Sequence, residues 1–395
     1  MTTPAWRGVN HNIYSQSTWA KRQPNGTWVP AQPKAGSNYI QSDRRTIDYF
    51  ASKGINHIRL MFTMEWFQDT LSAPIPDTDF ARLAYWEAFV DTVKYATSLG
   101  MYVMIEHYGF DPSIRDTRPM WKTHSLGDLG DATFTNEHFA NLYEQLATYF
   151  LRNDLVGFGM LNEPNNMSTM DWFRAAQAVI TAIRNTGSTA WIFVPGNGWS
   201  NWQWTNNWYD APPSPGDPKI SSAEGWENAN GTGSPLSDPL PLSGPLNKLI
   251  AAPHIYLDDA GGSTYNINAV DEGTQENALV DRIKVVVDWA KRFNRDHPTT
   301  PIKVYLGEIG YYAGTTNTGL GGNYTATTAQ TCWNNFIKYL EANADVLVGF
   351  AWWAASEIDW WDDVGLTHFS VTPTTSGTVY SGDTINMNMI EHTFF

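Results

Sequence analysis

The sequence is short of several kinds of residue, and each shortage excludes a class of protein. Cys332 is the single cysteine, so no disulfide can form within the chain. The 25 lysines and arginines are outnumbered by 40 aspartates and glutamates, which gives a formal net charge of −15. Nucleic acids and anionic membrane surfaces require basic patches, so we expect neither as a partner. No apolar run reaches the roughly 18 residues that a membrane-spanning helix needs.

Tryptophan, by contrast, is abundant, with 19 residues in the chain. Many of these tryptophans lie in stretches rich in Gly, Asn, Asp and Pro, where a bulky core is not the easy explanation. Loop tryptophans suit stacking against the apolar C–H face of a sugar. Trp121, Trp199 and Trp204 are therefore candidate substrate-binding residues. The alternative is that such tryptophans pack the loops against one another.

Short apolar runs alternate with amphipathic helical patterns along the chain. Eight strands are predicted, at 6–10, 57–62, 102–107, 156–161, 190–195, 250–257, 303–308 and 346–353. This alternation predicts an α/β protein, a parallel (β/α)8 barrel that forms one catalytic domain over 1–395. We expect a long irregular insertion at about 197–248 and a loop-rich C-terminal tail at about 367–395. A doubly wound sheet is the alternative, but the glycine-rich phosphate loop usual after its first strand is missing.

Two of the predicted strands end on a glutamate. Glu163 follows the fourth strand and precedes Pro164, which cannot donate a hydrogen bond to a neighbouring strand. Glu308 ends the seventh strand and lies between Gly307 and Gly310. The carboxyl ends of barrel strands face one shared site, and two carboxyl groups brought together there are what glycoside hydrolysis needs. Each glutamate taken alone is equally typical of a solvated turn.

Other strand ends carry polar or aromatic side chains that would point at the same face. The second strand contains Arg59 inside an apolar run, and the third ends at His107. His254 and Tyr256 are two residues apart on the sixth strand and so share a face. The eighth strand ends on the tryptophan pair 352–353, of which we favour Trp353 as the residue that faces the site.

Together these residues resemble glycoside hydrolase family 5, the large cellulase family of retaining (β/α)8 enzymes. The resemblance covers about residues 6–355 and rests on Arg7-Gly-Val-Asn10, Ile58-Arg59, His107-Tyr-Gly, Leu161-Asn-Glu-Pro164, Pro195-Gly-Asn197, His254-Ile-Tyr-Leu-Asp258, Leu306-Gly-Glu308 and Trp353. Three further stretches, at 62–66, 177–184 and 345–349, are most similar to the fungal-type endoglucanases.

The resemblance implies a catalytic role for each glutamate. Glu163 would be the general acid/base and Glu308 the nucleophile, held ionised and oriented by Arg59 and Tyr256. Asn162 would hydrogen-bond the 2-hydroxyl group of the sugar. The physical argument agrees, because two close carboxyl groups cannot both ionise easily and an arginine nearer to one of them favours its charged form.

The remaining positions carry supporting roles by the same resemblance. His107 and His254 would bind sugar hydroxyls or support the acid, and Trp353 would form the stacking floor. The family usually has one residue between its third-strand histidine and the next aromatic residue, whereas His107 and Tyr108 are adjacent here.

The resemblance thus implies a secreted, monomeric endo-β-1,4-glucanase that acts on β-glucan chains without a cofactor or metal. The first residues, Met1-Thr-Thr-Pro, lack the basic and apolar segments of a signal peptide. Within the family, a β-mannanase, a xyloglucanase and a mixed-linkage glucanase remain alternatives. Outside it, a carbohydrate-binding barrel without activity would keep the aromatic residues but lose a carboxylate. A metal hydrolase would use acidic pairs such as 258–259 and 362–363 with the histidines, although no His-Glu-x-x-His spacing occurs.

Overall fold

The structure is a computed structural model of the 395-residue chain. It describes residues 5–14, 20–22, 28–30, 42–68, 71–76, 78–108, 135–165, 167–207, 210, 219–239, 247–256, 275–310, 326–353, 371–374, 377–380 and 387. Within these ranges, only the backbone is described for 12–14, 20–22, 28–30, 65, 275, 326–329, 371–374 and 377–380.

Parallel strands form a closed barrel, which confirms the predicted (β/α)8 fold. The barrel strands are β1 (Trp6–Tyr14), β4 (His57–Phe62), β5 (Tyr102–His107), β6 (Val156–Leu161), β7 (Ile192–Val194), β8 (Leu249–Ala251) with β9 (His254–Tyr256), β10 (Lys303–Gly310) and β11 (Leu347–Trp352). They are hydrogen-bonded in chain order, and β11 pairs with both β10 and β1 to close the ring. The sixth barrel strand is in two pieces because Pro253 lies between them and cannot donate to a neighbour.

Helices lie between successive barrel strands, so the chain alternates as the apolar pattern predicts. They are α1 (Arg44–Ser52), α2 (Phe80–Ser98), α3 (Asn136–Tyr149), α4 (Thr169–Asn185), α5 (Ser222–Asn228), α6 (Ala278–Asp296) and α7 (Ala326–Ala342), with short 3-10 turns at Met64–Trp66 and Gln275–Asn277. Asp79 caps α2 by accepting from the backbone N–H of Ala81 and Arg82. Of the described helices, none is long and apolar enough to cross a bilayer.

The apolar side chains form two layers that follow the alternation of the strands. Inside the barrel, Trp6, Tyr102, Phe193 and Tyr305 fill the end away from the strand carboxyl termini, with smaller residues between them. Outside it, the opposite faces of the strands pack against the helices in the main core. Side chains at successive strand positions therefore point to different environments.

The structure differs from the sequence-based expectation in three connecting stretches. The polar stretch after β1 contains an antiparallel pair, β2 (Ala20–Arg22) and β3 (Trp28–Pro30). The stretch 197–248, expected to be irregular, contains α5, whose N-cap residue Ser221 forms a capping box with Glu224. The tail contains a second antiparallel pair, β12 (Val371–Thr374) and β13 (Gly377–Tyr380). Pairs this short carry little apolar periodicity, and for that reason the sequence pattern does not reveal them.

Candidate active site

Arg59 is the centre of the polar cluster at the carboxyl ends of the strands. Its side chain is completely buried, and its two terminal nitrogens bind different partners. Nη1 donates to Asn10 Oδ1 and to Glu308 Oε1, both at 2.7 Å. Nη2 donates to Asn162 Oδ1 at 2.5 Å and forms an ion pair with Glu106. A buried guanidinium is costly unless it is paired, and here both nitrogens have partners.

Glu308 is held on both carboxylate oxygens. Arg59 donates to Oε1 at 2.7 Å, and the hydroxyl group of Tyr256 donates to Oε2. The side chain is 4% exposed. Hydrogen bonds from a cation and a hydroxyl group both favour the ionised carboxylate and fix its orientation. Glu308 therefore has the surroundings that a carboxylate nucleophile needs.

Glu163 has a different environment from Glu308. Its Oε1 lies 2.8 Å from Nδ1 of His254, and its side chain is 30% exposed. Desolvation raises the pKa of Glu163 to about 7, although Arg59 acts in the opposite direction. Burial also lowers the pKa of His254 to about 3, so that the imidazole is neutral. Glu163 thus has the surroundings of a carboxyl group that keeps its proton at mildly acidic pH.

The two carboxyl groups lie close together. One oxygen of each lies within 4.8 Å of the other and of a ring nitrogen of His254. Retaining glycosidases have their carboxyl groups about 5–5.5 Å apart, whereas inverting enzymes need about 6.5–9.5 Å to hold a water molecule between them. This close approach of a Glu163 oxygen to a Glu308 oxygen favours retention.

Glu106 is the member of this cluster that the sequence analysis missed. It immediately precedes His107 on β5, and its carboxyl group is buried against Arg59. Burial raises the pKa of Glu106 to about 7, and Arg59 lowers it. Tyr102, Met104 and Glu106 alternate along β5 and share its inward face. That alternation, applied from Tyr102, is the sequence signal that would have found it.

His107 consequently points the other way. Its ring packs beside the ring of Phe62, and Nδ1 lies 3.4 Å from the Phe62 carbonyl oxygen. Phe62 belongs to the layer between barrel and helices. The structure therefore does not bring the ring of His107 to the two glutamates, because neighbouring residues on a strand face opposite sides. His254, in contrast, lies between Glu163 and Glu308, with Nδ1 3.5 Å from Glu308 Oε2.

The two tryptophans at the end of β11 also face opposite sides. Trp352 packs edge-on against Trp333 of α7, with ring centroids 5.1 Å apart. Trp353 packs with Tyr256 and Met61 in a small cluster at the mouth of the barrel. Trp353 is thus on the side of Glu308.

Of the loop tryptophans proposed to bind substrate, two are described, and they differ. Trp204 is 1% exposed and packs on Trp289 of α6, so it cannot stack on a sugar, and that expectation was wrong. The apolar surface that buries it comes from α6, which is distant in sequence. Trp199 is 42% exposed, and its backbone N–H donates to the carbonyl group of Pro164 at 2.9 Å. Trp121 lies outside the described residues.

The cluster of Glu163, His254 and Glu308 is the described group whose atoms could also hold a metal ion. Glu308, however, shares its carboxylate with the Arg59 cation at 2.7 Å. A dication bound to the same carboxylate would lie close to the buried guanidinium charge, which is electrostatically unfavourable. The acidic pairs that a metal hydrolase would use, at 258–259 and 362–363, lie outside the described residues. The donor set therefore favours carboxylate chemistry over metal chemistry.

The barrel and its paired glutamates define a class, the retaining (β/α)8 glycosidases, and comparison with protein families makes the class specific. Residues 9–356 match the model of the family described as cellulase, glycosyl hydrolase family 5. The chain belongs to this family.

Individual relatives agree with the family match. The chain is 29% identical to endo-β-1,4-glucanase A of Emericella nidulans over 351 residues, which is 87% of this chain and 82% of the relative. It is 27% identical to endoglucanase EG-II of Hypocrea jecorina over 353 residues, which cover 89% and 68% of the two chains. Among solved structures, XacCel5A in complex with cellopentaose superposes with a TM-score of 0.68 at 25% identity and covers 99% of both chains.

Proposed function

We propose that this protein is an endo-acting β-1,4-glucanase that hydrolyses its substrate with retention of anomeric configuration. The observation that carries the proposal is the approach of a Glu163 oxygen and a Glu308 oxygen to within 4.8 Å of each other. In addition, one glutamate is surrounded by groups that favour its anion, and the other by groups that favour its acid. This asymmetry is what double displacement requires.

In the first step, an ionised oxygen of Glu308 attacks the anomeric carbon of the sugar. The bond from that carbon to the glycosidic oxygen breaks, and the leaving oxygen takes the proton of Glu163. The product is a glycosyl ester of Glu308 and a released chain end. The neutral imidazole of His254, 2.8 Å from Glu163, orients the acid without competing for its proton.

In the second step, a water molecule gives a proton to the Glu163 carboxylate and attacks the same carbon. The ester bond to Glu308 breaks, and Glu308 regains its charge beside Arg59 and Tyr256. Asn162 accepts from Arg59 with its Oδ1, so that the Nδ2 amide is the group left to donate to the 2-hydroxyl of the sugar. A bond of this kind strengthens as positive charge develops on the ring.

The substrate assignment rests on the relatives and on two aromatic surfaces. The relatives are named endo-β-1,4-glucanases, and a structural neighbour was solved with cellopentaose. Trp199 lies beside the Glu163 motif and Trp353 beside Glu308. Aromatic residues near each member of the carboxyl pair favour a chain that crosses the site, and such a chain is cut in its interior.

We also propose that the protein acts outside the cell and as a monomer. A polymeric glucan cannot cross a cell membrane, so its hydrolase must meet it outside. Arg59, Glu163 and Glu308 come from one chain, so that the carboxyl pair and its arginine need no second copy. Light scattering after size-exclusion chromatography should give the 44.3 kDa of one chain; a stable dimer would refute this assignment of the assembly.

The endo mode is tested by plotting viscosity loss against new reducing ends on carboxymethyl cellulose, with mannan, xylan, xyloglucan and mixed-linkage glucan alongside. We expect viscosity to collapse after few bonds have been cleaved, and β-1,4-glucan to be turned over fastest. Slow viscosity loss with cellobiose as the sole early product would indicate exo attack. Faster turnover of mannan or another glycan would transfer the substrate assignment to that polymer.

Trp199→Ala tests the aromatic surface beside Glu163. A stacked aromatic contributes about 1–2 kcal/mol at a recognition surface, so KM on long glucan chains should rise about 5- to 30-fold. On short activated aryl glycosides, which do not reach this side, the effect should be small. Phe80→Ala is the matched control, because Phe80 is an exposed aromatic residue on α2. An unchanged KM on long chains would remove Trp199 from the site.

The raised pKa of Glu163 predicts the alkaline limb of the activity profile. The acid must be protonated for the first step, so kcat/KM on a soluble glucan should fall as the pH rises through about 7. With a dinitrophenyl leaving group, which needs no proton, the same limb in kcat/KM should disappear. A limb centred near the ordinary glutamate value, or one that is equal for both substrates, would contradict the assignment of Glu163.

A further inference from the structure

Glu106 is a buried carboxyl group that the two-step reaction does not use. Its side chain is 2% exposed, and its Oε2 pairs with Nη2 of Arg59. Its other oxygen faces Gly159 of β6, where a Cβ atom would lie 2.5 Å from Glu106 Oε1. The neighbouring strand thus leaves space for this carboxyl group only because residue 159 has no side chain.

The contacts of Arg59 divide between its two terminal nitrogens. One nitrogen holds the nucleophile Glu308 and Asn10, and the other holds Glu106 and Asn162. Asn10 is itself fixed, since its Nδ2 donates to the Gly307 and Ala351 carbonyl groups at 3.1 Å. Of these partners, Glu308 and Glu106 are the two that can carry charge, so the guanidinium lies between two carboxyl groups.

The charge beside Arg59 changes during the proposed reaction. Glu308 loses its negative charge when it becomes a glycosyl ester and regains it on hydrolysis. Arg59 stays charged throughout, because a guanidinium is not deprotonated in proteins. In the intermediate, Glu106, Asn10 and Asn162 are the partners left to hold the buried guanidinium against the attraction of the newly ionised Glu163.

We propose that Glu106 is a positioning residue that anchors Arg59 on the side away from Glu308 and holds it in place through both steps. This inference rests on the proposed function. In the free enzyme Glu106 limits how strongly Arg59 stabilises the nucleophile, and in the glycosyl-enzyme it keeps the guanidinium in place for the return of Glu308.

The groups around Glu106 come from four elements. Arg59 faces it from β4, Glu163 follows β6, Glu308 and Tyr305 lie on β10, and Tyr143 lies on α3. Arg59 is the only cation among them. The pKa values of Glu106 and Glu163 both lie at about 7, so the two carboxyl groups ionise in the same pH range and the charge of one opposes ionisation of the other. Removal of Glu106 should therefore make Glu163 a stronger acid and shift the alkaline limb of kcat/KM towards lower pH.

The test compares Glu106→Gln, Glu106→Ala and the control Glu87→Gln, which removes an exposed charge on α2. Glutamine keeps an acceptor for Arg59, so kcat should stay within about tenfold of wild type. The midpoint of the alkaline limb of kcat/KM should move to lower pH by about half a unit or more. Alanine removes the anchor, so kcat should fall by about 100-fold with KM within a few-fold. The control should match wild type in every respect.

The outcomes separate this inference from the proposed function. A wild-type protein that hydrolyses no glycan refutes the proposed function itself. An active wild type together with a Glu106→Gln profile that superposes on it refutes the positioning role alone, as does an alanine variant that folds and retains its kcat. Thermal unfolding monitors the fold of each variant. If the alanine variant does not fold, the position of the alkaline limb in the isosteric glutamine variant decides the question.

Discussion

Glu308→Ala should abolish hydrolysis of β-glucan, with kcat lowered by more than about 10⁴-fold. The carboxylate that attacks the anomeric carbon is lost, and Arg59 and Tyr256 lose the group that they orient. Initial rates on carboxymethyl cellulose measure the effect. Glu144→Ala, at an exposed position on α3, is the matched control and should retain wild-type turnover.

Azide should restore turnover of an activated aryl β-glycoside by this variant, since the small anion fits the space of the lost carboxylate. It would attack the anomeric carbon from the side of Glu308 and give the α-glycosyl azide, whose configuration proton NMR identifies. Wild-type-like hydrolysis by Glu308→Ala, or rescue that yields the β-azide, would show that Glu308 is not the nucleophile.

Glu163→Ala should slow the cleavage of glucan by about 10²- to 10⁴-fold, the usual contribution of a general acid. The effect should depend on the leaving group, because a dinitrophenolate leaves without a proton. With that substrate, the glycosyl ester of Glu308 forms quickly and then accumulates, since no base activates the water molecule.

Stopped-flow measurement should therefore find a burst of dinitrophenolate followed by a slow steady state. Azide should accelerate that steady state and give the β-glycosyl azide, because it attacks the ester from the opposite face. Equal losses of activity on glucan and on the dinitrophenyl substrate would contradict the assignment of Glu163 as acid/base. The opposite azide anomers of the two variants provide an internal check on both roles.

The barrel and the positions of its two glutamates were predictable from local patterns. Each barrel strand is a short apolar run, and in Asn162-Glu163-Pro164 the proline prevents the strand from continuing. Parallel strands in a closed barrel bring their carboxyl ends together whatever the intervening loops do. The meeting of Glu163 with Glu308, 145 positions later in the chain, therefore follows from topology.

The direction of side chains at strand ends was harder to predict. His107 and Glu106 are neighbours on β5, so only one of their side chains can point into the barrel. Which one does so depends on whether the alternation of inward and outward side chains continues to the last residue of the strand. The register of β5 against β6 also shifts between these two residues, which sequence patterns do not reveal. In the family, one residue usually separates the third-strand histidine from the next aromatic residue. In this chain Glu106, and not His107, has that spacing from Tyr108, which was a signal that Glu106 takes the inward position.

The burial of loop tryptophans depends on partners far along the chain. Trp204 is covered by Trp289 of α6, a contact between residues 85 positions apart. Trp199, only five residues earlier, lies with φ at 59° in the left-handed region and remains exposed. Local composition does not distinguish the two tryptophans, because the path of the backbone determines which one is buried and which one is exposed.

The anomeric form of the first product tests the central claim most directly. Proton NMR of a cello-oligosaccharide during its first minutes of hydrolysis, before mutarotation, distinguishes the two anomers. The separation of Glu163 and Glu308, with oxygens within 4.8 Å, predicts that the β-anomer appears first and the α-anomer later by equilibration. Initial release of the α-anomer would mean single displacement by water and would contradict the covalent role of Glu308.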